Sequence, residues 1–268
     1  MNKETLIKNL NKYKSMFLIP GWILAGLWGL LAGSALLIGA LFAYFFKIPQ
    51  RVVAAIMAFG AGVLLSAISL ELMEESFNLG GYYSMVLGFI FGAVIFTVIN
   101  AYLSKKGAKH RKRSGKQLKS TFEEDGNSLA IAAGSVIDGI PESIAIGLTI
   151  ITGGAVSVAT VVAIFISNIP EGLSSTAGLK KAGWNFKSIF SMWFIITLTS
   201  GLASLAGYAV FSHFSPEVIS FTLALAAGGI LAMLVDTMIP EAFSETHNMA
   251  GIITVLGFIV SFILSKIG

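Results

Sequence analysis

The sequence predicts an all-α, polytopic membrane protein with eight transmembrane helices in a 3+2+3 inverted-repeat arrangement. Three observations carry that expectation. First, 55% of the 268 residues are hydrophobic and only 12% are charged, about half the charge fraction of a soluble domain. Mean hydropathy is +0.83. Second, the apolar runs are long enough to cross a hydrocarbon core of about 30 Å, which takes roughly 20 helical residues. Third, short sequence motifs recur in segments that would cross in opposite directions.

Taken in order, residues 1–16 are a basic juxtamembrane segment. The apolar run that follows is too long for a signal-peptide core and has no small-residue cleavage site, so the segment is expected to be retained. The first three helices fill 17–103 as 17–46, 52–75 and 80–103. Residues 104–127 form a basic, then acidic loop with few apolar anchors, a composition that predicts disorder or contact with a membrane surface. The central pair, 128–151 and 155–178, occupies 128–178. Residues 179–268 hold the last three helices, at 188–211, 219–241 and 249–266. Strands of a membrane barrel would be about half as long and would alternate in polarity, so helices are favoured.

The chain has no cysteine, which removes disulfides and thiolate ligands and makes it indifferent to redox compartment. Its formal charge of +4 follows topology and does not indicate nucleic acid. Lys47 and Arg51 lie in the first loop, eight basic residues crowd the third, and Lys180, Lys181 and Lys187 lie in the fifth. The second, fourth and sixth loops contain none. By the positive-inside rule the odd loops, including 104–127, face the cytoplasm and both termini lie outside. Lys3, Lys8, Lys12 and Lys14 run against that assignment, and the thirteen loop charges outweigh them.

Two internal similarities bear on the arrangement. Ile-Pro-Glu occurs at 140–142 and again at 169–171, in the fourth and fifth helices. In the second and seventh, AFGAGVLLSAISLELMEES (58–76) resembles ALAAGGILAMLVDTMIPEA (224–242), with Glu75 opposite Glu241. Both pairs cross in opposite senses, as inverted repeats around a midplane binding site do. Gly-xxx-Gly patterns at 29–33 and 88–92 let helices approach closely. Packing within one subunit is their first expected use, and a homodimer seam the second.

Three acids stand near the middle of apolar segments, out of reach of any Lys or Arg: Asp138, Glu142 and Glu171. A carboxylate at the bilayer centre costs roughly 2.5–3.5 kcal/mol, so such residues mark substrate or ion paths. They are tolerated when they take up protons or hold a cation. Helical spacing puts Asp138 and Glu142 on one face, and Ser167 with Glu171 on another, with Asn168 close by. Pro141 and Pro170 lack an N–H, so the carbonyls of Ile137 and Ile166 lose their helical donors and the helix is expected to bend there. Carboxylate, amide, hydroxyl and carbonyl oxygens together suit a six-coordinate divalent ion.

The chain resembles membrane metal transporters of the ZIP (Zrt-, Irt-like) family. These have eight spans, a variable cytoplasmic loop after the third, and a His-Asn-x-Pro-Glu-Gly type motif in the fourth and fifth. Here Asp138-Gly139-Ile140-Pro141-Glu142-Ser143 and Ser167-Asn168-Ile169-Pro170-Glu171-Gly172 stand in those places. The resemblance implies import of divalent metal (zinc, iron or manganese) toward the cytoplasm, with no permanently bound cofactor. Both motif histidines are absent, Gly139 replaces the first asparagine, and the sixth span carries no carboxylate. His110, His213 and His247 fall in loops or at helix ends. Without imidazole, the ligand set shifts toward harder ions such as Mn²⁺ or Fe²⁺.

Glu71, Glu74 and Glu75 at the outer end of the second span, and Asp236, Glu241 and Glu245 at the inner end of the seventh, read as a cation pathway. For Glu74, Glu75 and Glu245, ordinary solvated helix ends is an equal reading. Two other functions compete with transport of a metal. An intramembrane enzyme has no H-E-x-x-H, no cysteine nucleophile and no intramembrane histidine to work with. A proton- or sodium-coupled carrier would use the same carboxylates. Lacking an intramembrane Lys or Arg, it would take a neutral or cationic organic solute.

Overall fold

The computed structural model describes residues 19–105, 125–153, 157–181 and 183–267. The N-terminal segment 1–16 and nearly all of the loop 104–127 lie outside them. Among the described residues there is no strand. The elements are α1 (Gly21–Phe45), α2 (Gln50–Ala67), α3 (Met73–Lys105), α4 (Asp125–Gly153), α5 (Val158–Lys181), α6 (Phe186–Phe211), α7 (Pro216–Met233), α8 (Ile239–Thr246) and α9 (Ala250–Ile267). Their starts follow local chemistry. Pro20 and Pro49 precede α1 and α2, Pro216 opens α7, and the Asn185 side chain caps α6 by accepting the Ser188 N–H at 2.9 Å, as expected of rigid φ and of short polar caps.

Six helical stretches are long and apolar enough to cross a membrane, and the chain is a multi-pass membrane protein. Two of the six, Gln50–Lys105 and Pro216–Lys266, run for 56 and 51 residues. At 1.5 Å per residue a straight helix of that length would be about 80 Å long, more than twice the hydrocarbon thickness. Neither is straight. Gly81 inside α3 has φ 69° and ψ −170°, and His247 after α8 has φ 47°. The sequence places multi-residue connections after 75 and after 241. Instead, helical hydrogen bonding continues to each break, and one residue of positive φ redirects the chain.

These two stretches match in register. α2 and α7 are each 18 residues long. Each passes into a five-residue π-helical turn, Ile68–Leu72 and Leu234–Met238. Gln50 corresponds to Pro216, Ile68 to Leu234, Glu75 to Glu241 and Gly81 to His247, a displacement of 166 residues each time.

Helix directions follow from which residues meet. α1 and α5 are parallel, with Ala32 at Asn168 and Leu36 at Gly172. α1 and α6 are antiparallel, with Gly26 at Leu205 and Gly33 at Ser200. α4 and α6 are parallel, through Gly139 at Ser200 and Gly147 at Ser204. α3 and α7 are parallel, through Gly80 at Ser220 and Gly92 at Leu225. α2 runs antiparallel to α5, with Gly60 at Ser167 and Glu71 at Ser157.

The closest crossings divide the helices into three groups. α1, α4, α5 and α6 approach one another backbone to backbone at Gly29, Gly39, Gly147 and Gly172, while Gly62 and Gly257 join α2 to α9 and Gly92 and Gly228 join α3 to α7. A methyl group at any of these glycines would collide with a neighbouring main chain. In lipid, helices associate through such close packing and through hydrogen bonds, since the tails are as apolar as leucine. Both Gly-xxx-Gly motifs are engaged within the subunit, Gly29 and Gly33 against α6, Gly88 and Gly92 against α7. Contact between the groups is looser: a Cβ at Gly60 would lie 3.2 Å from Ser167 Cα, and one at Gly229 would lie 3.8 Å from Pro141.

Candidate metal site

α4 and α5 carry the two Pro-Glu segments through the middle of the bundle. Pro141 and Pro170 both lie inside continuous helices. Asp138, Glu142 and Glu171 are 2, 3 and 6% exposed, and Ser167 and Asn168 are also buried. Ionisable side chains so deep in an apolar protein are retained for a reason other than packing.

The orientation of α4 is fixed by its neighbours. Ile137, Ile140, Pro141 and Ile144 line a cavity of about 230 Å³ shared with α3 and α7. Val136 packs on the Trp193 cluster of α6, and Gly139 and Gly147 sit against Ser200 and Ser204. With 100° per residue, Asp138 and Glu142 occupy the remaining face. On α5, the Asn168 amide donates to the Ala32 carbonyl at 3.0 Å, and Gly172 abuts Leu36. That leaves Ser167 and Glu171 on the side turned from α1.

A common level links the segments. Asn168 reaches Ala32 and Thr197 Oγ1 donates to the Gly33 carbonyl at 3.0 Å. Ser200 Oγ lies 3.6 Å from where a Gly139 Cβ would stand. Asp138 and Asn168 are therefore held at the same height by α1 and α6. Ser167 Oγ donates to the Ile164 carbonyl at 2.9 Å, and Ser143 Oγ to the Gly139 carbonyl at 2.7 Å. A hydroxyl that donates in this way, and an amide held through its nitrogen, keep oxygen lone pairs for a cation.

Among the described residues no three Asp, Glu or His side chains form a ready-made metal cluster. The acids alone do not make the site, and a cation here would take its remaining ligands from hydroxyl, amide and carbonyl oxygens. The Thr197 and Ser200 hydroxyls of α6 reach this level although the sequence reading concentrated on α4 and α5. The available signal was the absence of any acid in the sixth span, which leaves hydroxyls as its polar groups.

The expected pathway residues divide. Glu71 is on the first π-helical turn, where its carboxylate accepts from Ser157 Oγ, and from Thr160 Oγ1 at 3.3 Å. Ser157 in turn accepts the Thr160 N–H at 3.1 Å, so Glu71 is tied to the cap of α5. Glu75 is half-buried against Thr152 and Glu71, and Glu74 is exposed. In the second half, Glu241 is buried beside α2 while Asp236 is exposed and accepts from Asn100 Nδ2 at 3.3 Å. Glu245 is half-buried; His213 and His247 are exposed, and His110 lies outside the described residues.

No curated protein matches the chain. The family model described as ZIP Zinc transporter matches residues 105–265, a stretch that includes α4, α5 and both Pro-Glu segments. The chain belongs to the ZIP zinc transporter family, a family of metal transporters rather than enzymes.

Proposed function

We propose that this chain imports a divalent metal cation into the cytoplasm through an oxygen-lined site between α4 and α5. The carrying observation is the joint burial of Asp138, Glu142, Ser167, Asn168 and Glu171 in these two helices. α1 and α6 register the two motifs at one height. Buried acids of this kind are stable when a cation balances them, and a dication of oxygen preference fits the donor set. Zinc, iron and manganese are the cargo candidates.

The topology consistent with this reading has eight crossings. α1, α5, α7 and the part of α3 after Gly81 run one way; α2, α4, α6 and α9 run the other. The 166-residue correspondence supports reading the first three and last three helices as a repeated unit around the central pair. Basic loops then face the cytoplasm and the termini lie outside. Alternate exposure of the site would come from movement of the α1, α4, α5, α6 group against the α2–α9 and α3–α7 pairs, since glycine crossings hold that group and each pair internally and the contacts of Gly60 and Gly229 between them are less close.

The test is metal uptake by proteoliposomes holding the full chain, across Mn²⁺, Fe²⁺ and Zn²⁺. Glu142→Ala and Glu171→Ala should each abolish uptake. Normal flux in both variants would reject the site.

A further inference from the structure

Ser135 stands one turn before Asp138 on α4. It is 3% exposed, and its Oγ has no hydrogen-bond partner among the described residues. Ser66 and Ser261 share that state among the described residues, and of the three only Ser135 stands on the helix that carries Asp138 and Glu142. Other buried helical hydroxyls close onto a carbonyl of the preceding turn: Thr149 to Ile146, Ser167 to Ile164, Ser174 to Glu171 and Ser200 to Ile196. Leaving a buried hydroxyl unsatisfied is costly, so one kept beside the proposed site calls for a reason.

The helix register supplies it. The face of α4 toward α3 and α7 is taken by Ile137, Ile140, Pro141 and Ile144, and the face toward α6 by Val136 and Gly139. Ser135 lies about 20° around the helix from Glu142 and about 60° from Asp138, on the side those acids share. Because α4 and α6 run parallel, with Val136 at the Trp193 cluster and Gly139 at Ser200, Ser135 is displaced from Asp138 toward the α4 N-terminus. That is the cytoplasmic side in the proposed topology.

We propose that Ser135 Oγ is a further ligand of the transported dication, shared with Asp138 as the ion leaves the central site toward the cytoplasm. This rests on the proposed function of that site and adds a residue to it. A neutral hydroxyl next to a carboxylate provides a hard, weakly held position, which suits release and favours Mn²⁺ or Fe²⁺ over ions that prefer nitrogen or sulfur.

The experiment is thermal unfolding of the purified full chain in lipid nanodiscs during Mn²⁺ titration, for wild type, Ser135→Ala, Ser135→Asn and Glu142→Ala. Wild type should melt higher as Mn²⁺ rises, and Glu142→Ala should lose that response. Ser135→Ala should need about tenfold more Mn²⁺, while its metal-free melting temperature stays level or rises, because an unsatisfied hydroxyl has been removed. Ser135→Asn, which restores an oxygen, should recover part of the affinity. An unchanged Mn²⁺ midpoint in Ser135→Ala overturns the inference and leaves the central site standing. Lower metal-free stability in Ser135→Ala overturns it too, since the hydroxyl would then be a structural bond. No Mn²⁺ response in wild type would sink the site reading, and this one with it.

Discussion

Gly81 and His247 occupy equivalent places 166 residues apart, and both turn the chain with a positive φ, 69° and 47°. Each follows a π-helical turn and a short helical segment that carries an acid, Glu75 or Glu241. Both interrupt a long apolar helical stretch, with unequal chemistry. Glycine pays no steric penalty at such angles, whereas a residue with a Cβ stores about 1–3 kcal/mol.

His247→Gly is therefore expected to stabilise the protein by about 1 kcal/mol. Gly81→Ala should destabilise it by about 1–3 kcal/mol. Thermal unfolding in detergent, read with transport in proteoliposomes, checks both. If His247 serves as a metal ligand, His247→Gly would instead lower uptake at constant stability.

Asn168 joins the motif of α5 to the backbone of α1, so its amide nitrogen and its oxygen have separable roles. Asn168→Asp keeps an oxygen but loses the donor to the Ala32 carbonyl, and Asn168→Ala loses both. An interhelical hydrogen bond in a membrane contributes about 0.6–2 kcal/mol. Both variants should lose that much stability, and Asn168→Ala should also bind Mn²⁺ more weakly. Equal affinity in the two variants would make Asn168 an anchor alone.

Glu71 has two readings that one pair of substitutions separates. Its carboxylate accepts from Ser157 and Thr160 at the start of α5, which makes it a positioning residue for the helix that carries Glu171. Glu71→Gln retains an acceptor and should keep most stability and uptake. Glu71→Ala should lose about 1–3 kcal/mol, the usual cost of leaving polar groups unsatisfied. If the negative charge instead gathers cations at an entrance, both variants would raise the KM for metal to the same extent, with the greater effect at low salt.

The helical class and the burial of the acids are legible because apolar length and intramembrane charge are strong local signals. Three features are not. The π-helical turns at Ile68–Leu72 and Leu234–Met238 leave no compositional trace, so the sequence does not foretell that Glu71 and Asp236, expected at the outer and inner ends of one pathway, meet Ser157 and Asn100 respectively. The single-residue reversal at His247 looked like part of a loop, since histidine seldom takes positive φ. The hydroxyls of Ser135, Thr197 and Ser200 carry no sequence signal because serine and threonine are ordinary in membrane helices, and only their hydrogen bonds tell them apart.

The boundary between the α1, α4, α5, α6 group and α2 gives the sharpest mechanical test. Gly60 of α2 faces Ser167 of α5, and a Cβ there would sit 3.2 Å from Ser167 Cα, tight enough that a neighbour must yield. Gly172 is different: it lies inside one group, and a methyl would strike the Leu36 carbonyl. If the α1, α4, α5, α6 group moves as a unit, Gly60→Val should slow metal uptake at least tenfold while leaving Mn²⁺-induced thermal stabilisation in place. Gly172→Val should instead destabilise the whole protein, by the ~1–3 kcal/mol or more that overpacking costs. Fast uptake in Gly60→Val would mean that α2 and α5 do not slide past each other during transport. The site would then have to open by movement within the α1, α4, α5, α6 group, against the close glycine crossings that hold it together.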